Sequence, residues 1–168
     1  MPTVRRYPSL LNFADRAIYL IAGSTLSYPV LDSVDRYSLR TGKWSNSIPP
    51  LNAPRFGHAS LVVGNAFIYV FCGSGSTQQP VEPIERLNCL QRQDAWEVLE
   101  VSPGLSPGDG QMLWRERPIV TELDNGDFLV FGGNNVWASQ GQLSDILTLR
   151  VVLNEDQQSS SVQVSRQE

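Results

Sequence analysis

The residues able to do chemistry are few and scattered. His58 is the only histidine in 168 residues, and there are two cysteines, Cys72 and Cys89. A metal centre built on imidazole or thiolate needs three or four such ligands brought together, which one histidine and two cysteines do not supply. Cys72 ends the apolar run FIYVFC, where a buried, inert thiol is expected. The carboxylates come as dyads, Asp32/Asp35 and Glu82/Glu85, and as the cluster Asp124, Asn125, Asp127. That cluster lacks the twelve-residue spacing of a calcium loop, and a hairpin turn accounts for it. The run GSGS at Gly73–Ser76 is glycine-rich, but no helix follows to present its N-terminus to a phosphate. Neither G-x-x-x-x-G-K-[ST] nor G-x-S-x-G occurs. The sequence therefore predicts no catalytic residue, no metal and no cofactor.

Bulk properties narrow the class further. The net charge is −4 and only 18% of residues are charged, so no basic face is available for nucleic acid. The 13 glycines and 11 prolines imply many turns and argue against long helices. The longest early apolar run, Ala17 to Ala22, is too short for a membrane span or a signal-peptide core. With no N-glycosylation sequon, the expected compartment is the cytoplasm, and the nucleus also fits.

What positions these residues emerges from sliding the chain against itself. AIYLIAG from Ala17, FIYVFCG from Phe67 and DFLVFGG from Asp127 align, placing Gly23, Gly73 and Gly133 at spacings of 50 and 60 residues. Upstream of each lies an arginine, read as Arg6, Arg55 and Arg117, at distances of 17, 18 and 16 residues from the glycine. Downstream come a polar loop and a second strand-like run ending at Tyr37, Leu87 or Leu149. Trp44 and Trp96 follow in the first two units. Turn signals separate the apolar runs: Asp15-Arg16, Gly64-Asn65 and Asn125-Gly126, the last expected as a two-residue hairpin with both residues at positive φ. Four short strands per unit follow, the innermost reading apolar at nearly every position, as a strand buried on both faces would. The segment Gln91–Asp94 is expected as a turn between two strands.

These landmarks resemble the kelch repeat: an arginine before the first strand, a small-Gly or Gly-Gly pair after the second (Ala22-Gly23, Cys72-Gly73, Gly132-Gly133), an aromatic ending the third (Tyr37, replaced by Leu87 and Leu149) and a tryptophan in the fourth (Trp44, Trp96). The third unit has no such tryptophan. The resemblance implies an all-β partial β-propeller of about three four-stranded antiparallel blades, over residues 5–50, 51–104 and 112–155. Residues 156–168 are expected as a flexible tail or a last edge strand. The arginine would bridge carbonyls or a carboxylate between blades, and the tryptophan would pack between them. A single histidine counts against the copper oxidases that share this architecture.

Closed propellers have about four to eight blades. Three units therefore imply a piece of a longer protein, the reading preferred here, or pairing with another chain to close the ring, or an open capped array. Function is expected in the loops after the glycine pairs, Ser24 to Asp32, Ser74 to Pro83 and Asn134 to Asp145, which differ while the strands agree. The candidate partner-binding residues are Tyr28, Arg55, Ser74, Asn134, Asn135 and Trp137, with Asn52, Asp109 and Arg115 on the same rim. The leading expectation is a protein-interaction module that is not an enzyme, whose protein partner the sequence does not name. A sugar-binding or sugar-modifying propeller is the second reading. The substrate receptor of a ubiquitin ligase is the third, and it would need an adaptor-binding domain.

Overall fold

A computed structural model of the chain describes residues 4–27, 29–81, 83–99, 113–135, 141–153 and 160–166. These residues form a partial β-propeller of three four-stranded antiparallel sheets, with no α-helix among them. The first sheet is β1 (Ser9–Phe13), β2 (Ala17–Ser24), β3 (Val30–Ser38) and β4 (Lys43–Ser45), paired in chain order. The second is β5 (Ala59–Val63), β6 (Phe67–Phe71), β7 (Ile84–Asn88) and β8 (Glu97–Leu99). In the third, β9 (Ile119–Glu122) and β10 (Phe128–Phe131) precede a short hairpin, β11 (Asn134–Asn135) and β12 (Gly141–Gln142). β13 (Ile146–Leu153) and β14 (Ser160–Arg166) complete that sheet in the order β9-β10-β13-β14. The last strand thus lies beyond the 155 boundary drawn from the repeats. It supplies the edge that the missing tryptophan left undefined, with Val162 and Val164 buried.

In the second sheet the doubly buried strand is the second, β6, not the innermost. β1 lies against β5 and β5 against β9, so first strands line the inner side, while all five residues of β6 are buried. Alternation explains this. Phe67, Tyr69 and Phe71 point into a core shared with Phe128, Val130, Leu147, Val162 and Val164 of the third sheet. Ile68 and Val70 point the other way, into a core shared with Phe13, Tyr19, Ile21 and Val34 of the first. Leu87 and Trp96 join this second core, and the Trp96 indole N–H donates to the Pro49 carbonyl at 2.8 Å.

The turns depart from expectation in detail. In the first sheet the positive-φ pair is Ala14 (49°) and Asp15 (51°), one residue earlier than Asp15-Arg16. Gly64 (60°) and Asn65 (53°) turn as expected. In the turn between β9 and β10 only Gly126 has positive φ (81°). The Leu123 N–H bonds the Asp127 carbonyl and the Gly126 N–H bonds the Leu123 carbonyl, a wider loop than a two-residue hairpin. Asn125 stays out of the left-handed region and uses its side chain to hold Asp127 instead.

Candidate functional site

One end of the three sheets is built on a frame that repeats to the residue. At Gly23, Gly73 and Gly133 the backbone has φ of +100°, +86° and +98°, and an added Cβ would sit 2.7–2.8 Å from the carbonyls of Arg6, Phe56 and Glu116. The preceding residues, Ala22 (48°), Cys72 (61°) and Gly132 (52°), are also left-handed. The carbonyl of the first of these two left-handed residues meets a buried guanidinium. Arg5 donates to Ala22 O at 3.1 Å, Arg55 to Cys72 O at 3.3 Å and Arg115 to Gly132 O at 2.8 Å. Each arginine also pairs with a carboxylate in or just before its own third strand: Arg5 with Asp35 (2.5 Å), Arg55 with Glu85 (2.7 Å) and Arg115 with Asp145 (3.3 Å). All three arginines stand 18 residues before the glycine and all three acids 12 after it.

This frame corrects the sequence-based register. The bridging arginines are Arg5, Arg55 and Arg115, and the bridge closes within one blade rather than between two. Arg6 and Arg117, which sequence reasoning had placed in the frame, are exposed. Asp35 and Glu85 are architectural, and Asp145 is a third member that was missed. The arginine–glycine–acid spacing of 18 and 12 would have found it.

The seams between blades carry a second repeated pattern. Gly23 N–H donates to the Arg55 carbonyl (2.8 Å), and Gly73 N–H to the Arg115 carbonyl (2.9 Å). Ser74 Oγ donates to the Glu116 carboxylate across the second seam. Across the first, Ser9 Oγ and His58 Nε2 lie 2.8 Å apart. That pair has the outline of a nucleophile and its base. Burial, aided by the Arg55 charge, pushes His58 down to about 3, so the imidazole is a poor proton acceptor, and its Nδ1 finds no hydrogen-bond partner to orient it. It therefore serves as a neutral pin in the seam. Burial likewise pushes the Cys72 thiol up to about 12, which keeps it protonated and unreactive.

Several sequence candidates are engaged within the chain itself. Arg55 has no exposed side-chain surface, being held by Glu85 and the carbonyls of Ala53, Cys72 and Pro83. Ser74 and Asn135 are buried, as is Arg115. Asn52 is tied to Glu85 and to the Trp96 carbonyl. Asn134 is half-buried, on a cleft of about 500 Å³ lined by Glu116, Arg117, Gly133, Asn134, Gln142 and Leu143. Tyr28, Asp109 and Trp137 lie outside the described residues. Trp44 does not pack between blades: it is 38% exposed and lies tilted against Tyr37, ring centroids 5.1 Å apart, whereas Trp96 is 3% exposed.

What the rim does expose was missed. Tyr7 is half exposed, its ring 6.4 Å from that of Phe56, with the Arg117 guanidinium 5.3 Å from its centroid. The Gly57 N–H donates to the Tyr7 carbonyl and the Arg117 N–H to the Gly57 carbonyl, so this cluster knits the entries of all three first strands. Leu26, in the first loop, is exposed on the same rim. Among the described residues no three metal-ligating side chains converge, and no helix is long and apolar enough to cross a membrane.

No family model and no curated protein matches this chain. Solved structures do match. One, "Structure of YjhT", superposes with a TM-score of 0.70 at 11% identity over 98% of this chain and 52% of that one. The chain thus spans about half the length of that structure, and the likeness establishes the fold.

Proposed function

We propose that this chain is a kelch-like protein-interaction module whose rim of loops is the binding face. The observation that carries the reading is the Tyr7–Phe56–Arg117 cluster, in which Tyr7 and Arg117 are exposed, on the same rim as exposed Leu26 and standing on a frame of buried arginine–carboxylate pairs. Aromatic and arginine side chains dominate the energetics of protein interfaces because they present large, stiff contact areas with little ordering cost. The loops after Gly23, Gly73 and Gly133 leave from the same end of their sheets, since each meets the entry of its own first strand through the bridges Arg6–Ser24, Phe56–Ser74 and Glu116–Asn134. Sequence differences there vary recognition without disturbing the frame.

Quantitative pull-down tests this reading. Tyr7→Ala combined with Arg117→Ala, and separately Tyr28→Ala combined with Trp137→Ala, should each lower recovery of bound proteins at least about tenfold, the effect of losing one interface anchor. Asn65→Ala, on a hairpin at the opposite end of the second sheet, should leave recovery unchanged. Equal recovery by all three would remove the rim assignment.

A further inference from the structure

Away from the rim, the seam between the first two sheets opens into a cleft of about 450 Å³. Tyr19 stands on its first-sheet side, the linker residues Ile48 and Pro49 border it, and the end of β7 with the turn after it forms the other side. The Cys89 N–H donates to the Ala66 carbonyl at 2.7 Å, beside the Gly64-Asn65 turn. The cleft therefore lies at the end of the sheets opposite the frame of Gly23, Gly73 and Gly133. Both of its walls belong to an internal seam, so nothing beyond the first two sheets is needed to build it.

The polar groups of the cleft are donors. Asn88 Oδ1 accepts from the Leu90 N–H (3.0 Å), and Gln93 Oε1 accepts from the Asn88 N–H (2.6 Å). Each amide oxygen is thus taken, and each NH2 group is left to donate. Arg92, exposed on the same turn, adds a guanidinium with no acid partner among the described residues. In a chain of net charge −4, no described acidic side chain lines this cleft.

The repeat supplies an internal comparison. In the second sheet Arg86 pairs with Glu97 and lies over the Phe67 ring, 4.7 Å from its centroid. Its match in the first sheet is Arg36, which faces Tyr19 in the register that Arg86 has with Tyr69. Beside Arg36, however, Ser45 stands in the place of Glu97 and Ala17 in the place of Phe67. Arg36 is half-buried, has no acid partner among the described residues, and meets the Tyr19 hydroxyl, which also meets the Cys89 thiol. Burial pushes Tyr19 up to about 12 and Cys89 up to about 11, so neither supplies the negative charge that Glu97 gives Arg86. A half-buried cation without its acid draws an anion to its neighbourhood.

We propose that this cleft binds a small organic carboxylate. The planar head group accepts from the Asn88 and Gln93 amides and from Arg92, whose forked N–H groups match a carboxylate. The Arg36 charge behind Tyr19 holds the ion in place. The apolar body of the ligand lies on Ile48, Pro49 and Leu87. The volume is within the range of small-molecule sites.

Titration of phenylacetate into the isotope-labelled full chain, followed by the side-chain amide signals of Asn88 and Gln93 in NMR spectra, tests this. Those signals should shift with a Kd of about 1 mM, the affinity of an efficient probe of about ten non-hydrogen atoms. Phenylacetamide, of the same shape but without the charge, should bind at least about tenfold more weakly. Inorganic phosphate should leave the signals in place. Arg92→Glu, on an exposed turn and so harmless to folding, should weaken phenylacetate binding at least about tenfold with circular dichroism unchanged. Arg36→Gln should do the same; if that variant fails to fold, Arg92→Glu and phenylacetamide still decide the matter. Arg117→Ala, at the rim, should leave binding unchanged, so this site and the rim reading stand or fall separately. Equal binding of phenylacetate and phenylacetamide, binding of phosphate as tight as that of phenylacetate, wild-type affinity in Arg92→Glu, or silent Asn88 and Gln93 signals up to about 20 mM probe would overturn the proposal.

Discussion

Replacing Glu85 with glutamine removes one charge from the most deeply buried ion pair among the described residues. Neither Arg55 nor Glu85 has any exposed side-chain surface. The carboxylate accepts four hydrogen bonds: from Asn52 N (2.6 Å), Asn52 Nδ2 (3.0 Å), Ala53 N (3.1 Å) and Arg55 Nη2 (2.7 Å). Breaking a buried pair by removing one partner leaves an uncompensated charge and costs about 3–5 kcal/mol. The amide keeps one acceptor oxygen but turns an N–H towards the donors, which places the loss in the upper half of that range. Against a total stability of about 5–15 kcal/mol this is a large share. The matched change Asp145→Asn acts on a partly exposed carboxylate 3.3 Å from Arg115, and should cost about 1 kcal/mol. Urea titration followed by tryptophan fluorescence reads both as midpoint shifts at constant slope. A Glu85→Gln midpoint within about 1 kcal/mol of wild type, or equal to that of Asp145→Asn, would refute the idea that burial grades the three frames.

Other consequences follow from the same geometry. Gly73→Ala forces a Cβ to within 2.7 Å of the Phe56 carbonyl and should cost about 3 kcal/mol or more, whereas Gly64→Ala, also at positive φ but in open space, should cost about 1–2 kcal/mol in thermal unfolding. Trp96→Ala empties a core position and loses the bond to Pro49, costing about 3–5 kcal/mol, while Trp44→Ala in the isolated chain should cost far less. His58 titrates near 3 when folded and near 6.5 when unfolded, so below pH 6.5 the unfolded chain holds a proton that the native chain lacks. Stability should therefore fall as pH drops from 6.5 towards 3. His58→Gln should remove about 3 kcal/mol of that loss by pH 4, measured by denaturant titration across pH.

The glycine landmarks were legible because their cause is local: a strand that must end in two left-handed residues beneath a carbonyl accepts only small side chains and then glycine. The arginines were misplaced because Arg5-Arg6 and Arg115–Arg117 each offer two candidates, and only the shared 18-residue distance to glycine separates frame from surface. The fourth strand of the third sheet lacks its tryptophan, so the short pattern of Val162 and Val164 left residues 156–168 open between a flexible tail and a last edge strand. Burial of Arg55, Ser74 and Asn135 was illegible for a different reason. Polar residues beside glycine-rich loops look solvent-exposed until the seam that covers them is seen. Conversely, Arg117 reads as frame in the sequence, and the exposure of Tyr7 and Arg117 follows from where the three first strands converge.

Photo-crosslinking from within the chain is the most direct examination of the rim as a binding face. A benzophenone side chain at Leu26 or Tyr7 should yield covalent adducts with a partner protein in cells, and the same group at Asn65 or Asn125 should yield none. Adducts formed from the opposite hairpins, with Leu26 and Tyr7 silent, would contradict the account.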